Sequence, residues 1–278
     1  EIMQENGEYF DDADKQNNEF LKDRQIHMNL YAIQGMLARV YWMKGDLKTA
    51  AEYAQKILDC KHFELADKSE IEDLINGVLS PKETIWGLFS ANFYTNVRAD
   101  LYLSGGSSSL FLKADHDDTY MADKEGTDYR YEKWFKNYSA IEASGMRCIK
   151  VLDTYELNYA TRSDARVKGV NMLRLPELYY IITEYYLSID NQTEAVKYFD
   201  KVLVSRGLTG YADRQGATLT LEKVIQERRK ELVCEGQYFF TQKRYNQNIY
   251  EPKSGKIYQA SNDIYVLPLP ENETEYRY

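Results

Sequence analysis

Between positions 37 and 58 the chain reads LARVYWMKGDLKTAAEYAQKIL, with apolar residues returning every three or four positions on either side of KGD. Leu37, Val40 and Tyr41 share one helical face, Gly45 marks a turn, and the small Ala50 lets a returning helix come close. The pattern predicts a helical hairpin. Moving along the sequence by 145 positions lays Tyr41 on Tyr186, Gly45 on Asp190, Asp46 on Asn191, Ala50 on Ala195, Tyr53 on Tyr198 and Leu58 on Leu203 without a gap. A second hairpin is therefore expected, starting in the helical periodicity of 173–187, and the two should pack through their Tyr and Ala faces. After a glycine-bounded loop at 207–216 a further helix start is expected. Thr220 stands at its N-cap, Leu219 and Val224 form a hydrophobic staple, and Leu221, Val224, Ile225 and Leu232 share a face.

A large residue, a turn glycine, a small alanine and an aromatic, in that order, make the pattern of a tetratricopeptide hairpin. Such repeats recur about every 34 residues, so units 145 positions apart must bracket an insertion. The reading places a helical scaffold at 20–65 and 170–245 and an insertion at about 84–147. Its first segment, Thr84 to Phe89, is β-branched and aromatic and predicts a short strand. Regularity then stops over 91–147, which runs through SGGSSS, ADHDD and the aromatics Phe93, Tyr94, Tyr102, Phe111, Tyr120, Tyr129, Tyr131, Trp134 and Tyr138. Loops this long are functional or disordered, and the aromatic content points to order. The closing YVLPLPENETEYRY is expected to be extended, because two prolines in three residues forbid helix.

With 278 residues, 44% apolar and 14% aromatic, the chain buries a large core as one big domain or two small ones. A net charge of −9 and a pI near 5.1 argue against a nucleic-acid partner, whose phosphates demand clustered Lys and Arg. No apolar run approaches the roughly 20 residues that span a bilayer. The opening EIMQENGEYF lacks the basic and apolar regions of a signal peptide and does not begin with Met, so a mature or trimmed form is expected. Cys60, Cys148 and Cys234 form no C-x-x-C pair and fit best as buried apolar fillers, which leaves the redox compartment undecided. His27, His62 and His116 lack metal-ligand spacing. The run DHDDTY lacks the sixth-position glycine and closing glutamate of a calcium loop, so an acidic surface loop is the main reading and calcium the alternative. SGGSSS contains neither G-x-S-x-G nor a P-loop lysine. No catalytic residue, metal or cofactor is expected.

Four segments then resemble one family in order. IQERRKELVCEGQYFFTQKRYNQ is similar to the ERR-x-EL-x-x-EG-x-R-x-x-DLKR signature of the SusD/RagB family, outer-membrane nutrient-binding lipoproteins of Bacteroidetes that serve polysaccharide utilization. NLYAIQGMLARVYWMKGDLKTAAEYAQKIL resembles that family's middle tetratricopeptide hairpin, MLRLPELYYIITEYYL its IRLAEMYLIYAEAYL helix, and YVLPLPENE its LPIPQ-x-E tail. The resemblance covers most of the chain outside the insertion. It departs at Gln237, where His or Arg is usual, and in FFTQKR, which lacks the acidic position of W-F-D-L-K-R. Family members also carry a longer N-terminal portion with a lipid-bearing cysteine. The resemblance implies a mostly α, SusD-like fold, with 1–278 as a single domain, partial relative to the family.

Within the signature, Glu227, Glu231 and Glu235 form a stripe at helical spacing, and Arg228 falls on the apolar face among Val224, Ile225 and Leu232. A charge there needs a partner, so an ion-pair network pinning this helix to its neighbours is expected. Acid–base catalysis by Glu227 and Glu231 is the weaker reading, since neighbouring carboxylates on an exposed helix side are ordinary. Sugar rings have apolar faces and projecting hydroxyls, which aromatic side chains beside amides and carboxylates can meet. The insertion therefore supplies the ligand candidates: Asn92, Tyr94, Asn96, Tyr102, Phe111, Asp117, Tyr120 and Trp134, the last expected to face solvent. The resemblance implies noncatalytic binding of an oligosaccharide or polysaccharide at the cell surface and delivery to a TonB-dependent, SusC-like outer-membrane transporter. Membrane attachment would come only through a lipid anchor absent from this sequence. The alternatives are a tetratricopeptide-type protein- or peptide-binding scaffold and a glycan-cleaving enzyme.

Overall fold

The computed structural model describes residues 24–71, 79–80, 82–90, 120, 127–140, 143–148, 150, 169–251 and 254–268. In chain order these form α1 (Leu30–Lys44), α2 (Leu47–Asp59), the one-turn α3 (Lys68–Ile71), β1 (Thr84–Phe89), α4 (Tyr129–Trp134), β2 (Phe135–Ala140), β3 (Ala143–Cys148), β4 (Gly169–Arg174), α5 (Leu175–Ser188), α6 (Gln192–Ser205), α7 (Leu221–Glu231), α8 (Tyr238–Arg244), β5 (Ile249–Tyr250), β6 (Ile257–Tyr258) and α9 (Asn262–Tyr265). The fold is mostly helical. Chain contacts divide it into two compact units, Glu1–Glu235 and Gly236–Tyr278.

The first unit is built on two hairpins, α1–α2 and α5–α6, whose local bonding repeats position by position. Gly45 has φ 85°, and the N–H groups of Gly45 and Asp46 donate to the carbonyls of Trp42 and Tyr41, each at 3.0 Å. Asp190, at φ 56°, does the same with Leu187 at 3.1 Å, and Asn191 with Tyr186 at 2.9 Å. Both are Schellman closures, which satisfy the last carbonyls of a helix through a left-handed residue. The next residue then caps the returning helix, because Asp46 accepts from the Thr49 N–H and Asn191 from the Glu194 N–H. Ala50 and Ala195 are fully buried. Tyr41 stacks on Tyr53 at 5.8 Å and 8°, and Tyr186 on Tyr198 at 5.6 Å and 15°. The hairpins are also neighbours in space: α2 packs on α5, and the Tyr198 hydroxyl donates to Gln55 Oε1 at 2.9 Å.

β1 and β4 form an antiparallel pair in which Thr84 stands opposite Arg174 and Trp86 opposite Leu173, with a bulge between them. The expected helix at 173–187 therefore begins two residues late. Leu173 and Arg174 belong to the ladder, the Leu175 N–H donates to the Glu83 carbonyl at 2.9 Å, and Pro176 stands in the first turn of the helix, where its missing N–H costs nothing. Thr220 does occupy the N-cap of α7, but its side chain makes no capping bond. Leu219 and Val224 are buried in a cluster with Tyr180, Ala195, Phe199, Val202, Leu203, Leu208 and Tyr211, which is the core between α5, α6 and α7. β2 and β3 pair in register from Phe135 opposite Cys148 to Ala140 opposite Ala143.

In the second unit, β5 and β6 form a small hairpin, and Phe239 of α8 packs on Tyr265 of α9 at 5.6 Å. Among the described residues no helix is long and apolar enough to cross a membrane.

Candidate functional site

The register of β1 and β4 brings Glu83, just before β1, beside Arg174, the last residue of β4. Arg174 Nη1 bonds Glu83 Oε2 and Glu231 Oε1, both at 2.9 Å, and Nη2 reaches Glu235 Oε1 at 2.6 Å. Arg206, at the end of α6, places Nη2 at 2.8 Å from Glu83 Oε1 and 2.9 Å from Glu231 Oε1, and its Nε donates to Glu231 Oε2 at 3.0 Å. From α4, Arg130 bonds Asp128 at 2.8 Å, Glu227 at 2.6 Å and Glu231 at 3.3 Å. A second knot joins Arg39 and Arg228 to Glu177, at 2.6 and 2.8 Å. The Arg228 guanidinium also lies 4.2 Å from the centre of the Trp42 ring, a cation–π contact. Lys150 closes the cluster with an ion pair to Glu235.

Apart from the part-buried Arg39 and Glu235, these side chains are almost wholly buried. Burial opposes ionisation of Glu177, but the charges of Arg39 and Arg228 outweigh it and hold its carboxyl at about 2. For Glu231, likewise, burial is overcome by Arg206 and Arg174, which keep the carboxyl well below the usual range. Glu227 is lowered against its burial by Arg130 and Lys230. The partner expected for Arg228 is thus Glu177, and the expected network is present. The carboxylate stripe does not lie on an exposed helix side, however. Glu227 and Glu231 are buried and bonded to cations, an arrangement that keeps both ionised around neutral pH and suits neither as a general acid.

The ligand candidates separate. Asn92, Tyr94, Asn96, Tyr102, Phe111 and Asp117 lie outside the described residues. Tyr120 and Trp134 are described, and neither faces solvent. Tyr120 is 2% exposed and Trp134 0%. The Tyr120 hydroxyl donates to the Lys230 carbonyl at 2.7 Å and its ring meets Phe135 edge-on at 5.0 Å. The Lys150 ammonium sits 4.0 Å from the centre of the Trp134 ring, so the indole pins α4 onto the ionic cluster and the expected solvent-facing platform is overturned. Its charged neighbours in α4 do not keep it wet: Glu132 is exposed and Lys133 half-buried, while Trp134 itself is buried. Of the cysteines expected to be buried, Cys234 departs from expectation and Cys60 is half-buried. Cys148 is buried but Cys234 is exposed, and their sulfurs lie 3.4 Å apart.

An open groove of about 500 Å³ lies beside the cluster, lined by Leu65, Ala66, Asp67, Lys68, Ser69, Tyr129, Val204 and Ser205. Its back wall is held by Arg206, which donates to the Ala66 carbonyl at 3.1 Å and the Ser205 hydroxyl at 3.2 Å. The Lys68 ammonium lies 4.8 Å from the centre of the Tyr129 ring, so the groove offers an aromatic edge, an ammonium, a carboxylate and a hydroxyl together. Tyr129 carried a signal in the sequence as one of the insertion's aromatics. Asp67 to Ser69 carried none, since they meet Tyr129 only in the folded chain. In the second unit Phe239, Phe240, Tyr250 and Tyr258 are exposed aromatics that the sequence pattern did not single out.

These features define a helical-hairpin scaffold, locked by buried ion pairs, that carries an insertion; its described part is not irregular as expected but forms α4 and the β2–β3 hairpin. The sequence matches the family model of the SusD family (SusD/RagB) over residues 60–277, and the chain belongs to that family. Solved structures agree in fold. A SusD superfamily protein from Bacteroides vulgatus is 22% identical with a TM-score of 0.68, the match covering 89% of this chain and 57% of that one. A SusD-like carbohydrate binding protein from the same organism is 15% identical with a TM-score of 0.69, covering 93% and 60%. Surface glycan-binding protein A from Bacteroides uniformis is 15% identical with a TM-score of 0.61, covering 91% and 60%. The present chain thus spans less than two thirds of the length of these proteins. Comparison with curated protein sequences finds no match.

Proposed function

We propose that the protein captures a glycan at the cell surface without cleaving it and hands it to a TonB-dependent, SusC-like transporter in the outer membrane. The observation that carries this reading is the SusD family match over 60–277. Neighbours of the same fold described as carbohydrate-binding and surface glycan-binding proteins support it. The insertion at about 84–147 provides the recognition surface, with Asn92, Tyr94, Asn96, Tyr102, Phe111 and Asp117 as its ligand contacts and the groove at Tyr129 as a further subsite. A hydroxyl-rich ring suits that groove, where Asp67, Ser69 and Lys68 offer polar partners beside the Tyr129 ring. Attachment to the outer membrane is through a lipid anchor on the full-length protein.

The test is a calorimetric screen of oligosaccharides and peptides against the full-length protein, with reducing-sugar release measured in the same samples. Saturable glycan binding without release is the expected result. Binding of peptides alone would move the assignment to a peptide-binding scaffold, and release of reducing sugar would make the protein an enzyme.

A further inference from the structure

Cys148 ends β3, and Cys234 lies in the turn that leaves α7. Their sulfurs are 3.4 Å apart, and a disulfide requires a distance of about 2.05 Å, so closing the bond takes a shift of roughly 1.4 Å. The backbone is already arranged for the meeting. Cys234 sits at φ 62°, a left-handed conformation that residues with a β-carbon adopt only at a cost, and Gly236 follows at φ 72°. The flanking residues hold the same joint without a covalent bond. Lys150 pairs with Glu235, and its ammonium donates to the carbonyls of Glu231 at 2.9 Å and Val233 at 3.2 Å.

The two thiols differ in kind. Cys234 is exposed and Cys148 is buried. The contact between the two sulfurs, aided by the nearby Lys150 ammonium, lowers the Cys234 thiol below its ordinary range. The same contact, together with burial, raises Cys148. This is the division of labour of an attacking and a resolving cysteine. Cys60 takes no part, because its sulfur is turned to the Ile57 carbonyl at 2.9 Å.

We propose that Cys148 and Cys234 form an intramolecular disulfide by exchange with a small-molecule or protein disulfide, R–S–S–R. The Cys234 thiolate attacks one sulfur of R–S–S–R, forming a mixed disulfide and expelling RS⁻, which takes up the proton that Cys234 released. Cys148 then gives its proton to the second RS⁻ as its sulfur displaces that group from Cys234. The protein loses two electrons and two protons, and the oxidant leaves as two RSH molecules. The bond staples the β2–β3 hairpin to the end of α7, beside the ionic cluster, and holds part of the insertion to the helical scaffold.

The native full chain is treated with oxidised glutathione or with dithiothreitol, alkylated, and mapped by mass spectrometry, with melting followed in parallel. Oxidation should leave only Cys60 open to alkylation, yield a peptide linked through Cys148 and Cys234, and raise the melting temperature by about 5 °C or more. Dithiothreitol should reverse each change. Cys148→Ser should stop at a glutathione adduct on Cys234 with no rise in melting temperature. Cys234→Ser, altered at the exposed position, should keep its circular dichroism and lose the linked peptide. Three alkylatable thiols after oxidation of the native protein, or glutathione adducts on wild type without the linked peptide, would overturn the proposal.

Discussion

Glu231 is bonded by three buried arginines, Arg130, Arg174 and Arg206. Removing one member of a buried cluster leaves the others as uncompensated charges, which costs more than the pair contributes. Glu231→Gln is therefore expected to destabilise the protein by about 3–5 kcal/mol, read from urea unfolding. Trp134→Ala should cost a similar amount, about 3–5 kcal/mol, through the cavity left against α4. Glu177 sets an acid limit. Its carboxyl is held at about 2 against an ordinary 4.5. A carboxyl depressed on folding contributes stability that is fully present above its unfolded value and is lost as pH falls towards its folded one. Between pH 4.5 and about 2 the expected loss from Glu177 is about 3 kcal/mol, and Glu231 and Glu227, shifted the same way, deepen it. Stability measured by denaturant titration should be flat just above pH 5 and fall steeply below 4.5; a flat profile down to pH 3 would contradict the network.

The two hairpins share closure, cap and tyrosine stack, but they reach the left-handed turn residue differently. Gly45 adopts φ 85° freely, whereas Asp190 holds φ 56° with a side chain in place. Opposite effects are therefore expected at matched positions. Gly45→Ala should destabilise by about 1 kcal/mol, and Asp190→Gly should be neutral or stabilise by up to about 1 kcal/mol, as measured by thermal unfolding. Within α1, Gly35 has a different duty. A β-carbon there would lie 2.2 Å from Leu173 Cδ2 and 3.2 Å from Ile57 Cδ1, so Gly35→Ala should cost about 1–3 kcal/mol by overpacking where α1, α2 and β4 meet.

Across the first unit, the ends of β1, β4, α6 and α7 converge on one charged centre, and the insertion is tied to it through Arg130, Trp134 and Lys150. Loss of Glu231 should therefore loosen the insertion along with the helices, seen as faster amide exchange in 129–148 as well as in α7. The hairpins were legible in the sequence because their determinants are local: helical periodicity, a left-handed turn residue, a cap and a small residue lie within a few positions of one another. The need of Arg228 for a partner was legible for the same reason, as a charge on an apolar face. Which partner it takes was not, because Glu177 lies 51 positions away and the pairing depends on α5 and α7 packing side by side. The burial of Trp134 is not legible in the sequence because its neighbours there are polar, and only the fold sets the indole against Lys150. The same holds for Cys148 and Cys234, 86 positions apart, with no spacing to betray them. Periodicity and capping act over one or two turns of chain, so the sequence alone carries them; burial, charge pairing and thiol proximity arise from surfaces that meet only when distant elements pack.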